Sequence, residues 1–119
     1  MIEASFAEHF ANDWIDSWNA HDLPRILAHY ADDFIMESPV IITLAGEPSG
    51  RLVGKSAVGE YWRQALAKIP DLHFELITVL PGVNSLVLHY RSAGGRLASE
   101  VFTFDTERRV IHAAAHYVA

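Results

Sequence analysis

The chain has 119 residues, half of them hydrophobic and a fifth charged, which is the composition of one globular domain (residues 1–119) too short to bury a second core. A net charge of −6, with nine Lys and Arg scattered but for the pair Arg108-Arg109, disfavours the clustered positive surface that nucleic acids need, and no nucleic-acid partner is expected. The lack of cysteine removes disulfides, thiolate ligands and a cysteine nucleophile, and no signal pattern or roughly 20-residue apolar run is present, so a soluble, cytoplasmic protein with no membrane partner is expected.

Phe6, Phe10, Trp14 and Trp18 recur every four residues, with Ala7, Ala11 and Ile15 beside them, predicting a helix over about residues 3–19. Glu8, Asn12, Asp13 and Asp16 fall on its opposite side. Asp22 is the expected N-cap of a second helix, with Pro24 in its first turn and Leu23, Ile26, Leu27 and Tyr30 at helical spacing. A short strand follows at 34–38, with 40–44 as its continuation past Pro39, and Asp32 and Asp33 in the turn before it. A third helix fits 56–68, ended by Pro70. The period then becomes two, and strands are expected at 74–80, 85–91, 96–104 and 109–118, separated by hairpin turns. Helices first and a meander of strands afterwards is an α+β order.

Asn19-Ala20-His21-Asp22-Leu23, Tyr30-Ala31-Asp32-Asp33 through Pro39, and this order of elements resemble the nuclear transport factor 2-like superfamily, in its SnoaL-like and ketosteroid-isomerase-like branch. The resemblance implies a cystatin-like roll, a cone-shaped curved antiparallel sheet wrapped around three N-terminal helices. It also implies a pocket, while the superfamily's varied activities leave the reaction open. The isomerase pattern puts its catalytic aspartate at Ser38, its oxyanion-binding tyrosine at Trp14 and its protonated aspartic acid at Glu100. A serine has no useful basicity near neutral pH, so authentic ketosteroid isomerase activity is not expected.

Strand alternation then places Ser38, Glu100, Phe34, Met36, Phe102, Phe104, Ala113, Ala115 and Tyr117 on one face, with Leu86, Leu88 and Tyr90 on the neighbouring wall. Trp14, Trp18 and Tyr61 or Trp62 would close the floor. Such an aromatic cavity suits a hydrophobic small molecule. Burial would raise the pKa of Glu100 and make it a general acid, the alternatives being a solvated Glu100 or an ion pair with Arg91 or Arg96. An acid–base isomerase, cyclase or dehydratase is one reading; a non-catalytic binding or dimerisation domain is the other.

Other motifs yield little. His112 and His116 are roughly 13 Å apart along a strand, too far to share a zinc ion. Residues 50–56 miss the phosphate-loop spacing by one residue and lack its βαβ context. No cofactor or metal is expected. Alternation puts Val87, His89, Val110, His112, Ala114 and His116 on the outer sheet face, a half-apolar surface suited to a homodimer.

Overall fold

The four-residue aromatic period winds helix α1 (Ala4–Asn19), whose Phe10, Trp14 and Trp18 are buried and whose Glu8, Asn12 and Asp16 are exposed, in a computed structural model that describes residues 1–119. Asn19 then acts as a clamp. Its side-chain amide donates to the Phe74 carbonyl at 2.9 Å and its carbonyl accepts from the Phe74 N–H at 2.7 Å, tying the end of α1 to the start of the meander. Asp22 caps α2 (Leu23–Leu27) by accepting from the Arg25 N–H at 3.2 Å.

Helical spacing does not extend α2 to Tyr30. That residue opens strand β1 (Tyr30–Glu37), because the backbone at His29 and Tyr30 pairs with the strand of Val110 instead. Asp32 and Asp33 lie inside β1 rather than in a turn, both exposed, where the pairing register shifts between Tyr30 and Ile35. The expected continuation of the strand through 40–44 is also corrected. Pro39 has no N–H to offer a ladder, the Ser38 hydroxyl accepts from the Val40 N–H at 3.1 Å, and Ile41–Ala45 coils into a single π-helical turn. Gly46 ends that turn with φ 71.

The rejected phosphate-loop stretch holds a short strand missed in the sequence, β2 (Arg51–Val53), which pairs with β1. Gly54, at φ 89, redirects the chain into α3 (Lys55–Lys68). The meander follows as β3 (Glu75–Pro81), β4 (Ser85–Arg91), β5 (Leu97–Phe104) and β6 (Val110–Tyr117). The six strands form one curved sheet in the order β2-β1-β6-β5-β4-β3, antiparallel except where β1 runs parallel to β6.

Alternation holds along β5, where Ala98, Glu100, Phe102 and Phe104 are buried and their neighbours are only partly so. It breaks once in β6. Thr103 pairs with His112 but Phe104 pairs with Val110, so Ile111 is the extra residue of a bulge. Val110 therefore turns into the core, fully buried, and is not on the outer face as expected.

Candidate functional site

The aromatic side of α1 does not fill the whole concave face of the sheet. Phe10 packs edge-on against Phe102, and Trp14 meets Phe102, Tyr90 and Phe74, closing one end. Beyond them lies a cavity of about 200 Å³, walled by α1, α3, the π-turn, the segment after α3 and the strand ends. Fourteen of its eighteen lining residues are hydrophobic, and the other four are Ser38, Ser92, Arg96 and Glu100.

Of the expected site residues, Met36, Ser38, Tyr90, Glu100 and Tyr117 from the strands and Trp14, Trp18, Tyr61 and Trp62 from the helices line the cavity. Both Tyr61 and Trp62 take part. Phe34, Leu88 and Phe102 do not reach it; they are fully buried core, Phe34 among Tyr30 and Trp62 and Phe102 beneath Phe10 and Trp14. Ala115 is buried beside a separate shallow cleft that also touches Glu37 and His116. Alternation finds the face of a strand, not the depth to which a helix covers it. Val40, Leu44, Ile69, Leu72 and Ala93 line the cavity unforeseen, because they come from turns and segments with no period to read, and Arg96 joins them from the start of the expected strand at 96–104.

Glu100 is 3% exposed. Its Oε1 accepts from the Tyr90 hydroxyl at 3.3 Å, while Oε2 is buried with no hydrogen-bond partner. Burial pushes the carboxyl up to about 8, and the Tyr90 hydrogen bond offsets only part of that rise. Near neutral pH Glu100 is thus mainly the protonated acid. With Oε1 accepting from Tyr90, Oε2 is the oxygen left to carry the proton, and it has no protein partner. Neither arginine neutralises it: Arg91 donates to the Gly95 carbonyl and Arg96 to the Val118 carbonyl, each at 3.3 Å.

Trp14 spends its single N–H on the Tyr30 hydroxyl at 2.9 Å and is 1% exposed, so that donor is committed inside the protein. Trp18 differs. It lines the cavity and leaves its buried indole Nε1 without a partner. The site therefore contains a protonated acid and an N–H donor that the fold does not satisfy, which is costly unless something else does. Burial raises the phenols of Tyr61, Tyr90 and Tyr117, keeping them neutral, and no His, Asp or Lys lines the cavity. Ser38 sits just past β1, with its hydroxyl already accepting the Val40 N–H.

The sequence profile of the SnoaL-like domain matches residues 11–118. The fold superposes with a TM-score of 0.96 on a SnoaL-like protein of unknown function from Burkholderia thailandensis, 61% identical over 99% of this chain and 98% of that one. It is also similar to a candidate polyketide cyclase from Sinorhizobium meliloti, at TM-score 0.76 and 13% identity over 97% of this chain and 100% of the other. AclR, a candidate hydroxylase from Streptomyces galilaeus, gives TM-score 0.74 and 14% identity over 98% and 91% of the two chains. At such identities the last two likenesses carry the fold and not the activity. No match is found among curated proteins.

Proposed function

This chain belongs to the SnoaL-like domain family, and from that premise we propose that its cavity takes a hydrophobic, oxygen-bearing small molecule and uses Glu100 as a buried general acid. The observation that carries the proposal is the unpartnered Oε2 of a carboxyl held protonated near neutral pH. A ligand carbonyl or hydroxyl beside Oε2 would accept the proton, and the unpartnered Trp18 Nε1 is a second donor belonging to a residue of the same cavity wall.

Glu100 is the one carboxyl on the cavity wall, which favours reactions that one group can serve in two steps. In a dehydration, Glu100 protonates the departing hydroxyl, water leaves, and the resulting carboxylate takes the proton from the neighbouring carbon. Cyclase and isomerase chemistry fit if the same carboxylate returns the proton. Ser38 offers no base, so the ketosteroid isomerase shuttle is not part of this reading. The lack of a second base on the wall also favours a second reading, a ligand-binding domain without chemistry.

Tryptophan-fluorescence titration with planar phenols and steroid-like ketones tests the proposal on wild type and Glu100→Leu. Loss of about tenfold in affinity is expected from removing one buried hydrogen bond. Affinity kept within twofold would reduce the cavity to passive apolar burial, and binding to neither protein would remove the ligand class altogether.

The outer sheet face, where Val87, Val101 and Ala114 are half-buried beside His89, His112 and His116, is the proposed contact with a second copy of the chain. Sedimentation at micromolar concentration should show a species near twice 13.3 kDa, and a purely monomeric profile would discard the dimer.

A further inference from the structure

We infer that the ligand of this cavity is an amphipathic acid, a flat apolar body with an oxygen at the deep end and a carboxylate that meets Arg96 at the mouth. The inference rests on the cavity reading above and adds the charge and polarity of the ligand to it.

The two charged side chains of the cavity wall stand at different depths. Glu100 is almost completely buried and Arg96 is exposed, yet both line the same space. Arg96 immediately precedes β5 in extended backbone, at φ −69 and ψ 128, so the alternation of the strand carries through to it. Four residues of strand separate the two Cα atoms by roughly 13 Å. Arg96 and Glu100 thus mark the ends of one line along the inner face, with apolar and aromatic wall around it.

Arg96 is held in place without being neutralised. Its guanidinium carbon lies 4.8 Å from the centre of the Tyr117 ring, itself on the cavity wall, and its Nη2 donates to the Val118 carbonyl at 3.3 Å. Arg96, like Arg51, Lys68, Arg91 and Arg108, has no carboxylate in ion-pair range, and of these five cations it is the one that lines the cavity. A guanidinium has five N–H donors in a fixed fork, so most of its hydrogen-bonding capacity remains. A fixed fork at the edge of an apolar cavity matches a carboxylate, which it can hold through two parallel hydrogen bonds. One cation on the wall suits one negative charge better than a dianionic phosphate. The neutral state of Glu100 near pH 7 means that the deep end does not repel such an anion.

Isothermal titration calorimetry at pH 6.5 with 6-hydroxy-2-naphthoate, its methyl ester and 2-naphthol tests the inference on wild type, Arg96→Gln and Arg96→Lys. In wild type the acid should bind about fivefold more tightly than the ester, the upper range for a solvent-exposed ion pair, and the gap should narrow with added salt. Arg96→Gln should bring the acid down to the level of the ester, and Arg96→Lys should keep part of the gap. Equal binding of acid and ester in wild type, or a gap that survives Arg96→Gln, overturns the carboxylate assignment while 2-naphthol binding upholds the cavity reading. If none of the three compounds binds wild type, both readings fall.

Discussion

Glu100→Gln is expected to raise the melting temperature at pH 8.5 by on the order of 10 °C and to change it by only a few degrees at pH 5. The reason is the difference between the carboxyl's ordinary value, 4.5, and the value near 8 that burial imposes in the folded chain. Below pH 4.5 both folded and unfolded chains hold the proton, and stability is at its full value. Between 4.5 and 8 the unfolded chain gives up its proton and the folded chain keeps it, so stability falls as pH rises. The fall is about 1.4 kcal/mol per pH unit and is complete above the folded value, at most about 5 kcal/mol in all. Glutamine keeps the shape and has no proton to lose, so its stability should be flat across the same window. Its unpartnered amide costs something at every pH, which is why the comparison is of slopes. Thermal melts of the two proteins from pH 4 to 9 decide it, and parallel profiles would show that Glu100 is not a buried acid.

Trp14→Ala should cost about 3–5 kcal/mol in urea unfolding, the range for deleting a buried aromatic side chain. Trp14 is 1% exposed and touches Trp18, Phe74, Tyr90 and Phe102, so its loss opens the centre of the aromatic core. The milder Trp14→Phe removes the N–H that the Tyr30 hydroxyl accepts and should cost about 1–2 kcal/mol. Phenol affinity should persist in Trp14→Phe, because the donor that disappears was serving Tyr30. The opposite pattern, unchanged stability with lost affinity, would make Trp14 the oxygen-binding donor that the isomerase pattern implies.

These two residues also show what can be read from the chain. The burial of Glu100 is legible because β5 alternates without interruption for eight residues, so each side chain follows from its neighbours. The place of Trp14 on the buried face of α1 follows from the four-residue period, but the partner of its N–H comes from another element, and no local pattern carries that information. The long periodic segments α1, α3, β4 and β5 were legible for the same reason as Glu100. Three residues of β2 are too few to show a period, and the π-turn depends on a hydroxyl closing back on its own backbone. The bulge at Ile111 moved Val110 across the sheet by a single unpaired residue, a change that alternation alone does not reveal. Part of the cavity wall, Val40, Leu44, Ile69 and Ala93, belongs to segments of this irregular kind.

The position of β6 has a further consequence for the order in which the molecule assembles. It lies between β1 and β5, and Glu37 and His112, which pair across the β1–β6 seam, are 75 residues apart in the chain. Before β6 docks, the β1–β2 pair and the β3–β4–β5 meander share no strand pairing and are two separate half-sheets. The meander can form from neighbours in sequence, whereas the seam must first close a long loop, which is entropically costly and slow. During synthesis the seam cannot close until the ribosome has released residues 110–117. Until then the inward edges of β1 and β5 are unpaired, and the nascent chain carries two open strand edges that a neighbouring chain could occupy.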